Sequence, residues 1–281
     1  MKPSVKQTID ALKGTSAEPV LADTPPELVD DSRLVVFDGT SFDLSELATE
    51  RLDNKEEGDM VPARNVFKVR LARSRALYDA GALVQRRYSY RGYETPSAPG
   101  EGDPQLITFV AYSQGVVVGT VSIRLDMPGV GGLAAETLYP DEIAKIRAAG
   151  GHICEFTRLA VDTEASSKPI LAALFHTAYL FAAKVRGYDC AVIEVNPRHV
   201  IFYRRALKFD VIGTERLNRR VNAPAVLLCV PFDTIHEGLQ KFAGRLDLAA
   251  KTHTLFPYGF PGEEEEGVLR RLQALQDQDL V

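Results

Sequence analysis

Hydrophobic and polar residues change period along this chain, and each change marks an expected element. Over residues 1–60 there is little period. Acidic residues, Pro, Ser and Thr dominate and aromatics are few, which predicts an extended or partly disordered segment in which one short strand is possible at 33–38. Val66, Val69, Leu71, Leu77, Leu83 and Val84 follow a helical spacing, so 66–87 reads as a helix. Gly92, Pro96, Pro99 and Gly100 then predict a loop over 88–103.

Two β-rich runs follow, 106–112 and 116–125, joined by Ser113-Gln114-Gly115, which is a hairpin signal. Residues 127–133 are glycine-rich, 141–149 suit a short helix, and 152–161 read as a strand. Pro169 suits the first turn of a helix running to Arg186, with Gly187 as its C-terminal cap. That helix is apolar on every side, which predicts burial. A strand at 190–195, a helix at 197–207 and strands at 209–214 and 225–231 complete the body. Two further helices, 234–250 and 263–276, flank the turn Phe256-Pro257-Tyr258-Gly259-Phe260-Pro261. This order predicts an α/β protein, a mixed β-sheet with helices on both faces. It is read as a single domain over 61–232 with an acidic N-terminal extension, 1–60, and a helical C-terminal extension, 233–281. The strand–helix–strand unit at 152–195 should be a right-handed crossover.

Composition narrows the class. At 45% hydrophobic and 25% charged, the chain is globular in character. Its most apolar stretch, 170–185, contains His176 and Lys184 and is too short to span a bilayer. Cys154, Cys190 and Cys229 are three, widely spaced and without a CxxC or Cys/His cluster. That argues against a disulfide framework or a zinc site and, with no apolar leader at the N-terminus, predicts a cytoplasmic protein. The net charge of −5 is unevenly spread. Both extensions are acidic and the body between them is basic, which suits an anionic partner or ordinary solvated charge.

Three local sequences carry a family resemblance. The run Val195-Asn196-Pro197-Arg198-His199-Val200-Ile201-Phe202-Tyr203-Arg204-Arg205-Ala206-Leu207-Lys208-Phe209 resembles the GNAT pattern of a strand ending in Asn, a helix carrying Tyr, then Gly-Phe, with Lys208 where the Gly usually stands. His152-Ile153-Cys154-Glu155-Phe156-Thr157-Arg158-Leu159-Ala160-Val161 resembles the central strand. Its Glu-x-x-Arg is similar to that of acyl-homoserine lactone synthases and of N-acyl amino acid synthases of FeeM type. Ser122-Ile123-Arg124-Leu125, with the later Leu138-Tyr139-Pro140-Asp141-Glu142, resembles the same two families. The resemblance covers about 64–232 and favours the N-acyl amino acid synthases. The lactone synthases carry a Trp in their early loop, and this chain has none.

The resemblance implies an N-acyltransferase that moves a long-chain acyl group from acyl carrier protein to an amino acid's amine by direct attack on the thioester. Acetyl-CoA enzymes of this fold cradle a pyrophosphate in a Gly-rich loop after the central strand. The equivalent stretch here, Asp162-Thr163-Glu164-Ala165-Ser166-Ser167-Lys168-Pro169, has no glycine and two acids. An acyl-phosphopantetheine carries only one phosphodiester, which Ser167 and Lys168 could hold. The expectation is therefore a carrier-protein co-substrate with no permanently bound cofactor or metal, acyl-CoA being the alternative donor.

The reaction needs a base, stabilisation of an oxyanion, and a proton for the leaving thiolate. Glu155 is the candidate base, with an ion pair to Arg158 or Arg124 as its structural alternative. Cys154, its neighbour, points to the opposite face and reads as core. Arg124 and Arg158 are candidates for the amino acid's carboxylate. Arg158 shares Glu155's face only if the strand bulges, which the resemblance implies. Tyr203 is the candidate acid, or a packing aromatic. Asn196 and His199 are candidate substrate contacts, or a turn former and a surface residue. The backbone of Thr157, Leu159, Ala160 and Val161 should pair with pantetheine, as the resemblance implies. Arg204, Arg205 and Lys208 are candidate carrier-protein contacts. An acyl chain also needs an apolar tunnel, which 66–87 and 170–186 could line.

Other readings stay open at this point: a CoA-dependent GNAT N-acetyltransferase, an acyl-homoserine lactone synthase and a non-catalytic GNAT-like binding module. Nucleic acid is not an expected partner. A lipid product would bring the protein near a membrane surface.

Overall fold

The computed structural model describes residues 5–13, 67–73, 75–89, 103–127, 129–162 and 167–279. The 33–38 strand, most of the 88–103 loop and residues 163–166 lie outside them. Seven strands form one mixed sheet in the order β1-β2-β3-β4-β5-β7-β6. They are β1 Phe67–Leu71, β2 Leu106–Ser113, β3 Val116–Leu125, β4 Ile153–Val161, β5 Cys190–Val195, β6 Asp210–Asn218 and β7 Ala223–Pro231. Only β4 and β5 run parallel; every other neighbouring pair is antiparallel. This is the mixed sheet that the element order predicted.

Helices cover both faces. One face carries α1 Val5–Lys13, α2 Arg75–Ser89 and α3 Pro140–Ala148. The other carries α4 Ser167–Tyr179, prolonged by a π-helical turn over Leu180–Val185, and α5 Val200–Leu207. The C-terminal α6 Phe232–Phe242, α7 Ala249–Thr252 and α8 Gly262–Asp279 follow, and α6 and α8 join that second layer. As its uniform apolarity predicts, α4 is buried from Ile170 to Ala178. No described helix is long and apolar enough to cross a membrane.

Three expectations are corrected. Residues 66–87 are not one helix. Phe67, Val69 and Leu71 alternate with exposed Lys68 and Arg70, and this period of two forms β1 on the edge beside β2. The helix begins only at Arg75. The expected 234–250 helix stops at Phe242, because the chain turns at Gly244 with a left-handed φ of 80°. And the first residues are not uniformly extended: α1 buries Ile9 and Leu12 in a cluster with Ile143, Ile146 and Leu227.

Candidate active site

Alternation along β4 sorts its side chains. Cys154 and Phe156 join the core on the α4 side, whereas Glu155 faces the α3 side, where its Oε2 accepts a hydrogen bond from the Ala135 N–H at 3.1 Å. Cys154 is buried core, as read from the sequence. Ala135 sits in a 3₁₀ turn, Ala134–Thr137, anchored by Arg147. That guanidinium donates to Glu136 at 2.6 and 2.8 Å and to Asp126 at 2.7 and 2.9 Å.

Around Glu155 the sheet opens. β4 and β5 pair over three residues, Ile153–Glu155 against Cys190–Val192, and then part. β5 stays paired to β7 throughout. From Phe156 onward the edge of β4 that faced β5 has no strand partner among the described residues. Thr157, Leu159, Ala160 and Val161 lie along that stretch of β4, and Asn196 follows the last residue of β5.

β4 also bulges. Ser122 pairs with Thr157 and Thr120 with Ala160, so β4 carries one residue more than β3 over that span. Arg158 takes the extra length in a left-handed conformation, φ 52°. The bulge brings Arg158 to the side of Arg124, Tyr88 and Asp103, whose charges act on it. Burial and the like charge of Arg124 lower its pKa, and its NH1 is buried with no hydrogen-bond partner among the described residues. Arg124 itself donates to Asp103 at 2.9 Å. Neither arginine hydrogen-bonds to Glu155, so the ion-pair alternative is not formed.

Glu155 is 3% exposed. Burial, reinforced by the negative charge of Glu194, pushes its pKa up to about 7, against the Ala135 N–H and the charge of Arg220, which act the other way. Glu194, on β5, accepts from Asn218 Nδ2 at 2.7 Å and Arg220 NH2 at 2.8 Å, while its Oε1 is buried with no partner among the described residues. Sequence reading missed Glu194. The signal was one acid in the otherwise apolar strand Cys190-Ala191-Val192-Ile193-Glu194-Val195. The Ala135 N–H was missed too.

The remaining candidates are dispersed. Tyr203 lies on the opposite face from Glu155, edge-on to Phe175 and Phe209 with centroids 6.4 and 6.0 Å away. Asn196 caps the turn that starts α5, its Oδ1 accepting from the Arg198 N–H at 3.2 Å. His199 Nε2 accepts from Arg198 Nε at 3.3 Å. Lys168, in the first turn of α4, is lowered to about 8 by burial; Ser167 opens the same helix. Arg204, Arg205 and Lys208 are exposed around the last turn of α5, and Lys208 occupies the left-handed cap, φ 62°, where the GNAT pattern has Gly.

On the face behind Glu155 an apolar pocket lies between Phe156, Ala172, Phe175, Phe209, Leu239 and Phe256. Its empty volume, open solvent at the mouth included, is about 420 Å³. α4 lines it; α2 packs on the other face and does not.

A family model described as N-acyl amino acid synthase FeeM matches residues 79–231. Among solved structures, FeeM, an N-acyl amino acid synthase from uncultured soil microbes, is 28% identical with a TM-score of 0.54, over 60% of this chain and 94% of that one. The AHL synthase LasI is 15% identical, TM-score 0.45, over 60% and 91%. An N-acetyltransferase from Staphylococcus aureus Mu50 is 12% identical, TM-score 0.43, over 60% and 99%. No curated protein matches the sequence.

Proposed function

The chain belongs to the FeeM family of N-acyl amino acid synthases and is an acyltransferase; from that premise we propose that it moves a long-chain acyl group from acyl carrier protein directly onto the α-amine of an amino acid. The observation that carries this reading is Glu155, a buried carboxyl group raised to about 7, placed where β4 and β5 part. A base with that affinity takes a proton at neutral pH, which an ordinary carboxylate does poorly.

The amino acid enters on the Glu155 face. Its carboxylate meets the Arg158 guanidinium, whose buried NH1 needs an acceptor, with Arg124 beside it. Its ammonium loses a proton to Glu155, directly or through a water. The freed amine attacks the thioester carbon, the C–N bond forms, and the carbonyl oxygen becomes an oxyanion. Collapse breaks the C–S bond. The thiolate takes a proton from the Tyr203 hydroxyl, which regains one from the nitrogen. The products are an amide and a free thiol.

The donor's pantetheine lies along the open edge of β4, pairing with the Thr157–Val161 backbone as an added strand would. Its phosphodiester reaches the start of α4, Ser167 and Lys168, and its acyl chain passes through the gap into the apolar pocket. Carrier proteins are acidic, and one face of α5 suits them: Ile201, 46% exposed, stands with Arg204, Arg205 and Lys208 at helical spacing.

Purified protein given a dodecanoyl carrier protein, dodecanoyl-CoA or acetyl-CoA with a mixture of amino acids tests the reading by mass spectrometry of the products. N-dodecanoyl amino acids, formed fastest from the carrier protein, are expected. Acetylated products alone would refute the proposal.

A further inference from the structure

The family match ends at residue 231, yet the pocket does not. Beyond β7, Ile235 and Leu239 of α6 and then Leu255, Phe256 and Gly259 supply one side of it. The sheet and α4 supply the other, through Phe156, Ala172 and Phe175. Phe175 and Phe209, both in its wall, are the rings that Tyr203 meets edge-on. The pocket thus adjoins the gap through Phe156 and adjoins Tyr203 through Phe175 and Phe209, and the C-terminal segment closes part of it as a floor would.

That floor is fastened. His176 of α4 is buried, and its Nδ1 accepts the Phe260 N–H at 3.0 Å. The ring proton therefore sits on Nε2, which donates to Glu265 of α8 at 3.0 Å. The imidazole also stacks on the Phe260 ring, 4.8 Å between centroids. Phe256 is wedged against α6 so closely that a Cβ on Gly238 would lie 2.3 Å from its ring. A floor held at this many points has a fixed depth rather than yielding to its contents.

We infer that residues 232–260 form the blind end of the acyl site and set the length of the acyl chain, with Phe256 as the stop and Ala172 as the narrow point of the wall. This rests on the acyl-transfer reading above. It adds that chain length is read by a segment outside the family's matched region. The ligand is the hydrocarbon of an acyl chain, since the walls are mostly aliphatic and aromatic.

Two full-length variants act in opposite directions. Phe256→Ala deepens the pocket and Ala172→Leu fills it, and circular dichroism checks that each is folded; Phe256→Leu serves if the alanine variant is not. Saturated fatty acids of eight to eighteen carbons compete with cis-parinaric acid for the protein, and the same series is supplied as acyl carrier protein in the transfer assay. The preferred length should rise by at least two carbons in Phe256→Ala and fall by at least two in Ala172→Leu, with the ratio of longest to shortest changing about tenfold. Unchanged preference in both folded variants overturns the inference and leaves acyl transfer standing. Probe binding by the wild type together with the two shifts in the variants, but transfer of acetyl groups alone, overturns the proposed reaction and supports the pocket.

Discussion

Glu155 on β4 and Glu194 on β5 face the same side of the sheet, and the charge of Glu194 adds to burial in holding Glu155 near pH 7. The two carboxyl groups have unequal partners. Glu194 is tied to Asn218 and Arg220 by side-chain hydrogen bonds, whereas Glu155 is held by the Ala135 N–H. The more weakly held group is the one whose proton can move.

Glu155→Gln should cut kcat/KM by about 100-fold or more, the usual worth of a positioned base. In the wild type kcat/KM should rise with pH through about 7 as Glu155 ionises, and the variant should lose that limb. A pH–rate profile of both checks this.

Stability should move the other way. Folding raises Glu155 from its ordinary 4.5 to about 7, so the folded state binds more protons between those values. The fold is then favoured below 4.5 and progressively penalised up to about 7, by roughly 3 kcal/mol at 1.36 kcal/mol per unit. Glu155→Gln keeps an acceptor for Ala135 and should be more stable than wild type at pH 8 by about 1–3 kcal/mol, measured by urea unfolding. At pH 4.5 the difference should vanish.

Glu194→Gln removes the charge that raises Glu155 and should shift the acidic limb of the rate profile to lower pH. A limb that stays put would leave burial as the sole cause. The profile is informative even if Arg220, losing its charged partner, lowers stability.

Lys208 stands in a left-handed cap at φ 62°, a conformation that costs a side chain about 1 kcal/mol relative to Gly. Lys208→Gly should therefore stabilise the fold by up to about 1 kcal/mol in thermal or urea unfolding. It should also raise KM for the carrier protein without changing kcat, if α5 is the docking face.

Much of this was legible in the sequence, and the failures have physical causes. The hairpin and the central strand are β-rich runs, the hairpin with its turn residues between, and α4 is a continuous apolar run between Pro169 and Gly187. β1 was hidden because Phe67, Val69 and Leu71 fit both an alternating strand and, together with later leucines, a helix, with no Gly or Pro between β1 and α2. α1 was hidden because nine ordered residues sit in an acidic stretch whose average composition dominates. In the site, Glu155, Arg124 and Arg158 were visible as a motif. Glu194 was not, because Asn218 and Arg220, which satisfy its charge, lie 24 and 26 residues away. The Ala135 N–H is a backbone donor, which no sequence pattern marks.

The central claim is acyl transfer to an amino acid at Glu155, and lipid analysis of a bacterial host tests it most directly. Cells expressing the wild-type chain should accumulate N-acyl amino acids that cells expressing Glu155→Gln, at equal protein level, lack. Absence of such lipids from both, or equal amounts in both, would contradict the account.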